Sequence, residues 1–212
     1  METQELIKVL AADARRSGVP MALAWSLAAW TAVATAAIVF FLLLGPRTDI
    51  ASAAETVRFL FKFVVTTALA ASAFSLLRAQ SRPETGRRGL LPGLAIAPAL
   101  LLAAVGAELA VLPPGTWSAR LVGTNAFVCL TFIPLIGLGP LALMLIALRH
   151  GAPSRPRLAG AMAGLTAGGI AATFYAAHCT DDSPLFVATW YTIAIAMLTL
   201  LGAVCAHRVA RW

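Results

Sequence analysis

The sequence predicts an all-α, polytopic membrane protein: a bundle of six transmembrane helices behind a short cytoplasmic N-terminal amphipathic helix. Three observations predict it. Of 212 residues, 60% are hydrophobic and 12% charged, with a mean hydropathy of +0.85, which leaves too little polar surface to cover a water-soluble globule. Six apolar segments, at about 23–44, 59–77, 90–112, 121–148, 158–177 and 185–206, each come near or above the ~20 residues a helix needs to cross a bilayer. The links between them are short, so neighbouring helices run antiparallel in one bundle. The division expected is residues 1–20 as a cytoplasmic element and 21–212 as the transmembrane domain.

The first element is the polar stretch 1–20. Thr3 is placed to cap a helix, acidic residues occupy its first turn, Arg15 and Arg16 its last, and Gly18 and Pro20 stop it. Leu6, Ile7, Leu10 and Ala14 fall on one narrow apolar stripe, the pattern of a helix that lies on headgroups or folds into a groove on a partner. A signal peptide is not expected, because the apolar run that follows is too long and no cleavage site closes it.

Charge sets the orientation of the rest. With the N-terminus inside, only Arg47, Arg58, Lys62 and Arg120 of the 16 lysines and arginines fall on the outer side. That bias predicts an inner-membrane protein with both termini cytoplasmic. The net charge of +7 would suggest nucleic acid in a soluble domain, but here the bases sit in links between apolar runs, where they set topology and meet lipid. No direct nucleic-acid partner is expected; the bilayer is one. In the fourth segment Pro134, Gly137, Gly139 and Pro140 predict a kink or an unwound turn. In the fifth, Gly160, Gly164 and Gly168 recur every four residues and predict a smooth strip for close helix packing.

Polar groups at membrane depth are costly, and here they gather in the outer third. Arg58 and Lys62 share a face one turn apart, Glu108 lies about one turn before the outer end of its segment, and Asn125 and Cys129 are again four residues apart. His178-Cys179-Thr180-Asp181-Asp182-Ser183-Pro184 links the last two segments on the same side. One reading makes Arg58, Lys62, Glu108 and Asn125 an outer polar pocket. The plainer one lets Arg58 and Lys62 reach headgroups with Glu108 as ion-pair partner. If the fourth helix starts near 121, Cys129 lies ~12 Å below its outer end. It then shares a leaflet with Cys179, while Cys205 lies near the inner surface. Two near thiols could form a disulfide, or with His178, Asp181 or Asp182 hold a transient soft metal ion; Cys129 could also be a small buried hydrophobe. No cofactor is required, and no CxxC pair builds a zinc ribbon. No G-x-S-x-G or HExxH motif is present, so the chain is not expected to be an enzyme. A small transporter or metal-efflux component using the outer Cys/His/Asp cluster is the alternative, although the polar groups trace no path to the midplane.

The run from His178 to Pro184, continued by Leu185-Phe186 and then Trp190-Tyr191, together with the six spans, the Arg58 to Lys62 stretch and the N-terminal Glu5 to Asp13, resembles the NrsF family of membrane-embedded anti-sigma factors. The resemblance covers the whole chain and is most specific in the His-Cys and Asp-Ser-Pro-x-Phe run. It implies a protein that sequesters an extracytoplasmic-function sigma factor at the cytoplasmic face of the inner membrane and frees it under metal or oxidative stress. Cys129 and Cys179 would be the sensing thiols. Leu6, Ile7, Leu10 and Asp13 would contact sigma, and the fourth helix, from Cys129 to Arg149, would carry the signal.

Overall fold

The computed structural model describes residues 3–5, 7, 20–81, 91–151 and 153–209. Among them six helices are long and apolar enough to cross a membrane, as expected of a polytopic membrane protein, and no strand occurs. They are α1 (Met21–Leu43), α2 (Val57–Gln80), α3 (Leu91–Val111), α4 (Ala126–Leu148), α5 (Pro156–Ala176) and α6, which runs from Pro184 to Val209 through a π turn at Val187–Tyr191. Short helices at Ile50–Ala53 and Trp117–Val122 decorate the links. Helix starts follow local chemistry. The Thr56 hydroxyl accepts from Phe59 N at 3.4 Å to cap α2, and Pro156 and Pro184 occupy the first turns of α5 and α6, where a missing N–H leaves no bond unmade.

α3 and α5 are the two extremes in what they face. In a bilayer, lipid tails accept large apolar side chains, whereas close helix contacts favour small ones. α3 has a mean hydropathy of 2.2 and only 11% of its most apolar window buried. α5 has the lowest hydropathy of the six, 1.3, and is 72% buried. It is the centre of the bundle, packed against α2, α4 and α6, while α1 leans on α4 and α3 touches mainly α2 and the start of α6.

The glycine strip of α5 makes this centre possible. A Cβ at Gly160 would lie 2.2 Å from Gly202 O, and one at Gly164 2.2 Å from Leu198 O. On the opposite face, a Cβ at Gly169 would lie 2.9 Å from Ala70 Cα of α2. The expected close packing is therefore present, between backbones. The expected unwound turn in the fourth segment is not, because α4 runs unbroken from Ala126 to Leu148 with Pro134 and Pro140 inside it.

The start of the fourth helix also differs from expectation. Trp117–Val122 forms a separate short helix, closed by Gly123 at φ +58°, and α4 begins only at Ala126. Glycine is required at 123 both for its backbone conformation and because a Cβ there would lie 2.6 Å from the Phe186 ring. Cys129 is consequently only ~5 Å into its helix rather than ~12 Å. At the N-terminus, Thr3–Glu5 and Ile7 are helical and Ile7 is exposed; Leu6, Leu10 and Asp13 lie outside the described residues.

The packing makes a direct comparison available. Gly164→Ala should destabilise the detergent-solubilised protein by about 1–3 kcal/mol, the usual cost of overpacking. Gly106→Ala on α3, where nothing lies within 4 Å, should leave the thermal midpoint unchanged or slightly raised.

Candidate functional site

The up-and-down topology brings the α1–α2, α3–α4 and α5–α6 links to one end of the bundle, away from the C-terminus of α6. A carboxylate or ammonium near hydrocarbon must be paired, and at this link end the pairing converges on residues 178–185.

Three anchors hold that stretch. The first is basic. Lys62 on α2 is fully buried; its Nζ lies 2.5 Å from Asp182 Oδ1 and donates to Cys179 O at 2.9 Å. Arg47 of the α1–α2 link joins it, 3.1 Å from Asp182 Oδ2 and 2.6 Å from Asp49 Oδ2. Its hydrogen bond to Asp49, with Asp182 adding to the effect, pushes the Arg47 guanidinium further up and holds Asp49 below the usual carboxylate range. The main chain follows suit: Arg47 N donates to Ala177 O at 3.0 Å, and the His178 ring, through Nδ1, bonds Gly45 O at 3.0 Å.

The second anchor is Asp181. Its Oδ2 accepts from Thr124 N at 3.0 Å, Asn125 N at 2.8 Å and Asn125 Nδ2 at 2.9 Å, immediately before α4 begins. A carboxylate here satisfies otherwise orphaned donors and faces the positive end of the helix dipole. The third is Glu108, buried near the end of α3. Its Oε2 accepts from Ser183 Oγ at 2.7 Å and Leu185 N at 3.2 Å, and so caps α6. Its Oε1 faces Arg58 at 3.9 Å and Arg120 at 3.7 Å without a hydrogen bond.

The thiols lie beneath this clamp. Cys129 and Cys179 are both free and without exposed surface, in one apolar core with Tyr175, Phe186 and Tyr191. The two tyrosine rings meet edge to face at 5.7 Å, and neither hydroxyl has a hydrogen-bond partner among the described residues. Cys179 Sγ contacts Asp181 O at 3.7 Å. Burial pushes the Cys179 thiol up, with Lys62 opposing, so at neutral pH it stays protonated and slow to react while the clamp is closed. Cys205 is on α6 toward the opposite end.

Arg58, Lys62, Glu108, Asn125, Cys129, Cys179, Asp181 and Asp182 are thus brought to one end, as their depth in the sequence indicated. Their partners are not all those expected. Lys62 does not reach toward headgroups or pair with Glu108; it is sealed under Asp182, because α2 packs along α5 and lies beneath the link that follows it. Among the described residues no three of His, Cys, Asp and Glu are grouped so that they could hold a metal ion. His178, Asp181 and Asp182 instead bond backbone groups, Lys62 and Arg47. Sequence reasoning gave Arg47, Arg120 and Ser183 no pairing role, although Ser183 stands in the 178–184 run and the two arginines were counted among four bases on one side. The signal for the two arginines was that number, with Asp49, Glu108, Asp181 and Asp182 on the same side.

The anchors can be weighed by substitution. Asp182→Asn leaves the Lys62 ammonium buried against a neutral amide and should lower unfolding stability by about 3–5 kcal/mol. Adding Lys62→Met should recover most of that loss, a coupling measured by a double-mutant cycle in urea or heat.

Comparison with known proteins gives a consistent result. The family model for the negative regulator of sigma F, NrsF, matches residues 10–212. The anti-sigma-F factor NrsF of Caulobacter vibrioides (strain NA1000 / CB15N) is 35% identical over 217 residues, covering all of both chains. The probable anti-sigma-F factor NrsF of Azospira oryzae (strain ATCC BAA-33 / DSM 13638 / PS) is 32% identical over 215 residues, again covering all of both. No solved structure matches the chain.

Proposed function

This chain belongs to the NrsF family, the negative regulators of sigma F, and from that premise we propose that it holds an extracytoplasmic-function sigma factor at the cytoplasmic face of the inner membrane and releases it when thiol-directed stress reaches the link end from outside. It is a regulator with a sigma factor as partner, not an enzyme. The observation that carries the proposal is the full-length match to two anti-sigma-F factors, extending through all six spans and all three links of the clamp.

The sign of the charge bias supports putting the link end outside and both termini inside. Sigma is then met by residues 1–20, with Leu6, Ile7, Leu10 and Asp13 as contacts, and by the arginine-bearing inner links. A helix of that length is marginal alone and gains its order on a partner. Disruption of sigma binding is read directly: Leu6→Asp with Leu10→Asp should lose retention of the cognate sigma factor on membranes by tenfold or more. Full retention in that double variant would remove the segment from the binding surface.

On the sensing side, the two thiols share one core beneath a clamp of ion pairs, so they are protected while it is closed and reactive only once it opens. An oxidant takes two electrons and two protons as Cys129 and Cys179 join in a disulfide; a soft cation displaces the two protons and bridges the thiolates. Either product alters the packing of α4 against the α5–α6 link, which is the bistable element such a switch requires. Cys129→Ser and Cys179→Ser should each abolish stress-induced sigma release, measured with a sigma-dependent reporter, while sequestration without stress is kept. A normal response in both variants would leave the thiols with a purely structural role.

A further inference from the structure

Two cavities lie one above the other along α2, the deeper among helices and the shallower among the links. The deeper one, about 470 Å³, is an apolar cleft between α2, α3 and α6, walled by Val65, Leu69, Leu94, Leu101, Val187 and Ile195. Its size falls within the ~300–1,000 Å³ of ligand pockets. It exists because α3 packs mainly on α2 and the first turns of α6 and is little buried along its length, which puts the cleft on the lipid-facing side of the bundle. The second cavity, about 410 Å³, opens at the link end and is walled by Arg58, Thr116, Arg120, Thr180 and Ser183, with Asp181 and Asp182.

Helix geometry fixes how the two are spaced. From Arg58 to Val65 on α2 is ~10 Å, and Ser183 and Val187 are one turn apart at the start of α6. Between them lies Glu108, bonded to Ser183 and Leu185 N.

The charges in the upper cavity are unevenly satisfied. Asp181 is taken up by Thr124 and Asn125, and Asp182 by Lys62 and Arg47. The side chains of Arg58 and Arg120 are 49% and 39% exposed, and their guanidiniums share a single carboxylate oxygen at 3.9 and 3.7 Å and make no side-chain hydrogen bond among the described residues. Thr180 Oγ1 accepts from Asn125 Nδ2 and keeps its own proton to donate. Two planar five-donor forks beside a hydroxyl fit the oxygens of a phosphate. An anion site one to two turns above an apolar cleft that is open to lipid has the shape of a head and a tail.

We propose that the protein holds one anionic phospholipid, its phosphate between Arg58 and Arg120 and one acyl chain in the cleft along α3. The charge complementarity of two guanidiniums that share one carboxylate oxygen, and the place of the cleft on the lipid-facing side, single out this occupant over a soluble anion or a second protein. The site stands independently of the sigma-factor reading and of which side the link end faces.

The test uses the full-length, delipidated protein in detergent, titrated with phosphatidylglycerol and, separately, phosphatidylcholine, with retained lipid counted by native mass spectrometry. One phosphatidylglycerol per chain should be kept at least about tenfold more tightly than phosphatidylcholine, in line with ~1 kcal/mol for each arginine near a headgroup. Arg58→Gln with Arg120→Gln should abolish that preference, and Leu101→Trp, which fills the cleft, should weaken retention of both lipids. Dihexanoyl phosphatidylglycerol and inorganic phosphate should fail to displace the long-chain lipid. Equal retention of the two lipids by the wild type, or an undiminished preference in the arginine variant, would mean only a lipid annulus and overturn the proposal. Displacement by inorganic phosphate would overturn it too, by making the site one for a small anion. The lipid comparison and the displacement arms need no variant, so they decide the matter even if the substitutions impair folding.

Discussion

A lysine ammonium with no exposed surface, 2.5 Å from Asp182, is the interaction on which the link end depends. Its charge cannot remain near hydrocarbon unpaired, so Asp182 must stay over α2, and the rest of 178–185 has little freedom left. With Asp182 fixed, Asp181 falls at the start of α4 and Ser183 at Glu108, so that the link between α5 and α6 also ties in α2, α3 and α4. The thiols are buried as a consequence: Cys179 is sealed because the residues after it are held from three sides, and Cys129 because the helix that bears it begins beneath Asp181. A chemical event at either sulfur therefore acts on ion pairs that determine how α2, α3, α4 and α6 meet.

Much of this was legible in the sequence, and for a simple reason. In an apolar chain each charge is conspicuous, so the depth of Arg58, Lys62, Glu108 and the 178–184 run could be read from spacing, as could the glycine strip of α5 and its role. The family was legible too, in the run from His178 to Phe186, and the full-length match bears it out. Pairing was harder, because it depends on which helices are neighbours. Lys62 goes to Asp182 rather than Glu108 only because α2 packs along α5, and linear order says nothing of that. The fourth helix was begun too early because Trp117–Val122 is apolar enough to extend it. Gly123-Thr124-Asn125 was the overlooked signal: a glycine at positive φ followed by two residues that favour turns and caps. Arg47 and Arg120 read as topology charges, since their spacing in sequence gives no hint of Asp182 or Glu108.

The bundle divides into a firm part and a loose part. α5 is firm, since its glycines bring backbones together on two sides. α3 is the least embedded, packed along α2, tied at its end by Glu108 and bordering a cleft. Proteins that switch keep some elements near the low end of local stability, where a modest ligand or modification suffices to shift them. α3 fits that description, and one residue, Glu108, ties it to the same link that covers the cysteines.

The seam between α5 and α6 also restricts the kind of movement open to the molecule. Where Gly160 faces Gly202 and Gly164 faces Leu198 O, the axes are so close that the helices cannot approach further, and separating them would forfeit contact along the whole seam. What remains easy is shear, one helix gliding lengthwise on the other. A displacement of Ser183 along the axis would then travel the length of α6 as through a rod, except at Val187–Tyr191, where the π turn interrupts the regular ladder of hydrogen bonds. That turn, immediately below the clamp, is where a push on α6 is either absorbed as a change of winding or delivered to the far side of the membrane.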